Sequence, residues 1–290
     1  MIFQANDLNR VNFTHNFSIY IPLEGFTITM TMLTDHALLR YSRHIMLEQF
    51  DIDGQEKLAQ AHVVVVGCGG LGMAALPLFV GAGIGRITLI DFDMVDLSNL
   101  HRQTGYKMAD VGLSKVAQAA QHLTELNPDI NIQPIEQKVD FTALQSIVQD
   151  ADVVLDCSDN FQLRKDLNRA CFMAKAPLVS GSAVRYEGQL TLFDFRDPDS
   201  ACYECLFTGD HADDGNCALF GVFSPVVHII GITQAQEALK LLLGIGTLAT
   251  HKLHIYNALD FSWQSFKYRR NPHCAVHLED ADCDRKIGSK

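Results

Sequence analysis

The sequence predicts a doubly wound α/β fold: a mostly parallel, Rossmann-like sheet with an antiparallel C-terminal extension. Three observations predict it. Short apolar runs recur at His62–Gly67, Arg86–Asp91, Ile130–Ile135, Val153–Asp156 and Leu178–Gly181, the pattern of strands buried on both faces. Helix-patterned stretches at Leu71–Ala82, about 112–126, Phe141–Gln149 and Asn160–Lys175 alternate with them, which is how a parallel sheet is built. From Tyr186 to Phe195 the period changes to two, as in antiparallel strands with one covered face.

Taken in order, Leu38 to Phe50 has the spacing of one helix carrying Arg40 and Arg43. The helix beginning near Gly112 should stop at Asn127-Pro128, because the residue before proline avoids helical backbone. A segment rich in Gly and Asp, 208–216, reads as a mobile loop, followed by a long helix from about Ser224 to Leu243. Lys252–Tyr256 and Phe261–Tyr268 read as late strands. Residues 1–31 lack periodicity and precede a second Met at position 32, as a flexible extension or a misassigned start would. Residues 32–290 then form one domain, whose halves fall at about 60–183 and 184–278.

Composition excludes several classes. At 290 residues with 48% hydrophobic and 20% charged residues, the chain is ordinary globular protein. Its 23 basic and 34 acidic residues give a formal net charge of −11, which disfavours an extended nucleic acid partner but not a small anion held by local cations and a helix N-terminus. The longest stretch without Asp, Glu, Lys or Arg, Gly215–Gln236, contains Asn216, Ser224, Pro225, His228 and Gln234, so no membrane span is expected. Eight cysteines are too few for a disulfide scaffold, and no leader pattern opens the chain; a reducing, cytoplasmic setting is expected.

The chemistry concentrates in a few places. Gly67-Cys-Gly69-Gly70-Leu-Gly72 matches G-x-G-x-x-G after a strand and opening a helix, where backbone can approach phosphate. Tight helix–sheet packing alone would also use such glycines. Asp91 closes the next strand, 19 residues beyond Gly72, where an acid commonly holds ribose hydroxyls. The loop from Asp93 through Asn99, Arg102 and Gln103, with Lys115 beyond it, adds amides and cations suited to a triphosphate. Asp159, past the fourth strand, is either a metal-reaching carboxylate or the cap of the following helix. Cys202-x-x-Cys205 and Cys274-x-x-His277 are paired elements of a structural zinc site, with His273 and Cys283 as competitors for the fourth place and a redox pair as the other reading. Cys68, Cys157 and Cys171 read as core, and His101 and His228 as polar packing.

Arg40-Tyr-Ser-Arg43, the Gly-rich turn, Leu89-Ile-Asp-Phe-Asp93, Leu97-Ser-Asn-Leu-His-Arg-Gln103, Gly112-Leu-Ser-Lys115 and Asp156-Cys-Ser-Asp-Asn160 stand in the order found in MoeB and ThiF proteins. The resemblance to this family, bacterial relatives of the ubiquitin-activating enzymes, runs from about Leu38 to His277. It implies ATP- and Mg²⁺-dependent adenylation of the C-terminal glycine of a ubiquitin-like sulfur carrier ending in Gly-Gly, with release of pyrophosphate. By resemblance, Asp159 is the Mg²⁺ ligand, Arg102 and Lys115 line the phosphates, and Asp91, Gly69 and Asn99 lie near the nucleotide. Arg43 would come from the neighbouring protomer of a homodimer. Cys217 resembles the loop cysteine that links to the carrier in some members; an incidental thiol is the other reading. The family usually has four zinc-binding cysteines, and His277 departs from that. The half at 184–278 would bind the carrier, and Ser182-Ala-Val-Arg-Tyr-Glu-Gly-Gln189 looks closer to the molybdopterin branch than to the thiamin-thiazole one. A dinucleotide-dependent oxidoreductase or a non-catalytic subunit remains the alternative from the residues alone.

Overall fold

The computed structural model describes residues 33–207 and 220–278; segments 1–32, 208–219 and 279–290, with the extension, the mobile loop, Cys217 and Cys283, lie outside the described residues. Eight strands form one sheet in the order β3-β2-β1-β4-β5-β6-β7-β8. They are β1 His62–Val66, β2 Arg86–Ile90, β3 Asn131–Ile135, β4 Val153–Asp156, β5 Leu178–Val184, β6 Glu187–Phe193, β7 Lys252–Asn257 and β8 Ser262–Lys267. The first five pair in parallel and the last three join antiparallel, as the change of period predicts. β1 lies at the centre of the parallel part and is buried at all five positions. Val63 and Val65 enter one core while Val64 and Val66 enter the other, so the uninterrupted valine run serves both faces.

The helices are α1 Asp35–Arg40, α2 Ser42–Ile45, α3 Asp51–Gln60, α4 Gly70–Ala82, α5 Lys115–Leu126, α6 Phe141–Val148, α7 Phe161–Ala174, α8 Tyr203–Leu206 and α9 Ser224–Leu243. α9 packs along α4 and over β5 and β6, whereas α6, α7 and α8 pack together with the second core. α9 is long and apolar enough to cross a membrane, but in this fold it is a core helix, with 56% of its apolar window buried.

The N-terminal expectation needs correction. Leu38–Phe50 is not one helix: α1 and α2 are separated at Tyr41, whose φ of −97° and ψ of 10° interrupt the turn. Tyr41 is buried and its hydroxyl accepts from Asn127 Nδ2 at 2.9 Å, so a tertiary anchor overrides local periodicity. α3, absent from the sequence reading, follows; it buries Gly54 and Gln55 with Leu58 and so lacks a clear apolar stripe.

Candidate functional site

The carboxyl ends of β1, β2 and β4 meet at the point where strand order reverses, the usual ligand crevice of an open parallel sheet. Gly67 leaves β1 with φ of +101°, a conformation that favours glycine. A Cβ on Gly72 would stand 2.0 Å from Gly67 O, and one on Gly70 2.4 Å from Val227 on α9. Those positions are therefore fixed by close packing, as the structural reading of the motif held. At Gly69 the nearest neighbour to such a Cβ is Gln103 Nε2 at 3.6 Å, which leaves the middle of the turn accessible.

Asp91 is 9% exposed and accepts from Cys68 N–H at 2.7 Å and Asp93 N–H at 2.8 Å. Burial pushes its carboxyl above the ordinary value, and the two N–H bonds pull against it. Tyr106 donates to Cys68 O at 2.7 Å and so pins the following loop to the turn. Ser224 on α9 donates to His101 O, and Thr104 meets His228 Nε2 at 3.0 Å, a second anchor. His228 is thus packing, as expected. Asp96 accepts from Ser98 N–H at 2.8 Å, opening the 3-10 turn Leu97–Asn99.

On this loop Arg102 donates to Ser98 O at 3.0 Å and has no ion pair among the described residues. Asn99 is half-buried beside Ser98. Gln103 is 4% exposed, and its Oε1 has no hydrogen-bond partner. Lys115 opens α5, is 6% exposed, and reaches Asp93 Oδ2 at 2.8 Å. Ser114 caps that helix by accepting from Ala117 N–H. The open turn and two cations fit a phosphate chain, and the orphaned amide oxygen can accept from a nucleotide's hydroxyl or amino group.

Asp159 follows β4 and is exposed. The cap of α7 is Asn160, which accepts from Leu163 N–H at 2.9 Å, so the capping alternative for Asp159 is removed. Behind it lies a polar cluster that sequence reading missed. Asp156 is 1% exposed, accepts from Ser158 and Ser180 hydroxyls at 2.7 and 3.1 Å, and pairs with Arg164 Nη1 at 3.3 Å. Gln234 of α9 donates to Asp156 O at 2.8 Å and Val179 O at 3.1 Å. A charged pair in the run from Asp156 to Arg164 was the available signal, because buried charges need partners. Arg43 is exposed on α2 with its guanidinium against Met46 Sδ at 4.0 Å; the described chain brings it no phosphate-loop partner.

The second cluster lies in the other core. Cys202, Cys205, Cys274 and His277 place their ligand atoms within 4.8 Å of one another. Cys202 Sγ lies 3.7 Å from Cys205 Sγ and 3.6 Å from Cys274 Sγ. His277 is 3% exposed, lies edge-on to Phe172, and neither ring nitrogen has a hydrogen-bond partner. Three sulfurs and an orphaned imidazole fit a tetrahedral zinc ion. His273 is exposed and outside the cluster. Cys68, Cys157 and Cys171 are buried core thiols, all pushed up by desolvation.

The fold and crevice define a nucleotide-binding protein of the doubly wound class. More particularly, residues 41–276 match the ThiF family, and the chain belongs to it. Over 247 residues it is 45% identical to the molybdopterin-synthase adenylyltransferase of Escherichia coli K12, spanning 85% of this chain and 99% of that one. It is 40% identical over 245 residues to the ThiS adenylyltransferase of the same organism, spanning 84% and 96%. Among solved structures, E. coli MccB with ATP superposes with a TM-score of 0.72 at 28% identity, over 82% of this chain and 73% of that one.

Proposed function

We propose that this chain is an adenylyltransferase that uses ATP and Mg²⁺ to activate the C-terminal glycine of a ubiquitin-like sulfur carrier, of the molybdopterin-synthase small-subunit kind. The observation that carries this is the crevice itself: an open Gly69 turn, a buried unpartnered Gln103 oxygen, Arg102, Lys115 and a free-standing Asp159 converge on one end of the sheet. The names of the relatives sharing 45% and 40% of the sequence support the reading, and the higher identity favours the molybdopterin branch over the thiamin-thiazole branch.

In the proposed reaction the carrier's terminal carboxylate oxygen forms a bond to the α-phosphorus. The bond from that phosphorus to the bridging oxygen breaks, and pyrophosphate leaves with the electron pair. The carboxylate is already ionised, so no general base is needed. Two anions must meet, and Arg102 and Lys115 supply fixed positive charge where negative charge accumulates. Gly69 and Gln103 hold the nucleotide in line, and Asp91 takes the ribose. Asp159 would hold Mg²⁺, which would supply neutralisation of phosphate charge. The exposed Arg43 contributes to the crevice of a second protomer in a homodimer; a guanidinium suits bridging phosphate oxygens. The half from about 184 to 278 receives the carrier, and Cys202, Cys205, Cys274 and His277 would hold a zinc ion that ties α8 to the C-terminal segment. A cytoplasmic setting suits the reduced thiols of that site.

The deciding experiment is exchange of labelled pyrophosphate into ATP, run separately with purified carriers of the molybdopterin and thiamin-thiazole kinds. Exchange with the first is expected; exchange with neither overturns the proposal. For the metal, one zinc per chain by atomic absorption is expected, falling in His277→Ala together with the melting temperature.

A further inference from the structure

The segment from Asp156 to Asp159 is gripped from both faces of the sheet. From the α7 face, Arg164 pairs with the Asp156 carboxylate at 3.3 Å and donates through Nη2 to Ser158 O and, at 3.1 Å, to Gly181 O. From the α9 face, Gln234 donates to the Asp156 and Val179 carbonyls, and Cys157 Sγ lies 3.6 Å from its Oε1. There is no slack in the arrangement: a Cβ on Gly181 would stand 2.4 Å from Gln234 Cδ, and one on Gly67 2.6 Å from Cys157 O. Gln234 is fully buried, and Arg164 is 9% exposed. Burying a guanidinium, a carboxylate and an amide is costly unless each is well partnered, so their joint presence at one strand end calls for a reason beyond packing.

We infer that Arg164 and Gln234 are positioning residues that hold the β4 end rigid so that the exposed Asp159 carboxylate presents to a divalent cation. This rests on the reading of Asp159 as the Mg²⁺ ligand and deepens it. The chain loses its direct support at the residue that must bind: Asp156 and Ser158 are buried and bonded, whereas Asp159 and Asn160 are exposed, with Asn160 committed to the helix cap. A carboxylate on a fixed stem binds a cation without first being ordered. Arginine is required because one planar fork reaches a carboxylate and two carbonyls; lysine would keep the charge and lose the bridging.

The test is an Mn²⁺ titration, with free Mn²⁺ followed by electron paramagnetic resonance, on full-length protein saturated with α,β-methylene ATP. Wild type is compared with Arg164→Lys, Gln234→Met and Asp159→Asn. The inference expects roughly tenfold weaker Mn²⁺ binding in Arg164→Lys or Gln234→Met, with ATP binding in EDTA unchanged. In exchange assays kcat falls and the carrier KM stays constant. Wild-type Mn²⁺ affinity in both positioning variants, with affinity lost in Asp159→Asn, overturns the inference and leaves the Asp159 reading standing. Wild-type affinity in Asp159→Asn overturns both. If Arg164→Lys does not fold, Gln234→Met, which leaves the ion pair in place, decides alone.

Discussion

The two ends of the parallel strands are built to different rules. At the amino ends, polar groups are tied to each other. His62 N–H donates to Asp152 Oδ2 at 2.7 Å, its ring meets Thr88 Oγ1 at 2.8 Å and Asp150 O at 3.1 Å, and Arg86 pairs with Asp150. At the carboxyl ends, beside the paired Lys115 and the closed cluster of Asp156, Arg164 and Gln234, some polar atoms stay open: Gln103 Oε1 lacks a partner, Arg102 has no ion pair among the described residues, and Asp159 stands exposed. The lesson is local to the crevice: its closed clusters are scaffold, and its supported but open polar atoms are where the proposed ligand would bind.

That contrast can be broken by substitution. The largest effect is expected for Asp159→Ala, which should cut carrier-dependent exchange by roughly a hundred- to a thousandfold while calorimetry finds the melting temperature little changed. An active variant would show that the open carboxylate is idle. Gly72→Ala sharpens the contrast from inside the crevice, since its Cβ would meet backbone at 2.0 Å. A stability loss of about 3 kcal/mol in urea unfolding is expected from such overpacking, with activity lost through the fold. The smallest effect belongs to His62. Burial holds its pKa below the usual value, so the neutral ring is favoured in the folded chain. Its stabilisation is present above about pH 6.5 and is lost as pH falls through the lower folded value. His62→Gln should therefore differ from wild type by about 1 kcal/mol at pH 7 and less at pH 5, with exchange activity retained at pH 7.

How much of this was legible in the sequence follows from where the deciding forces act. β1, β2 and β4 are readable because burial on both faces demands mostly apolar runs, and β8 through its aromatic residues Trp263 and Phe266, although most of the strand is exposed. α3 was hidden because Gly54 and Gln55 take core positions, and the break at Tyr41 depends on Asn127, 86 residues away. In the crevice, residue types and spacing revealed the turn, the acid and the cations. They could not decide whether Asp159 reaches a metal or caps α7, because a carboxylate can do either and only the backbone geometry, which makes Asn160 the cap, chooses. Likewise Cys274-x-x-His277 was visible as a pair, but the exclusion of His273 required knowing which ring lies against Phe172.

The contact between Lys115 and Asp93 has a consequence for selectivity. The ammonium keeps company with a carboxylate at 2.8 Å. Under the proposed role, an arriving phosphate chain must outbid a resident counter-ion. A singly charged metabolite gains little by that exchange, whereas a triphosphate brings enough charge to prevail. Asp93 would then act as a threshold, parking Lys115 in its working position and screening weak anions out of the crevice.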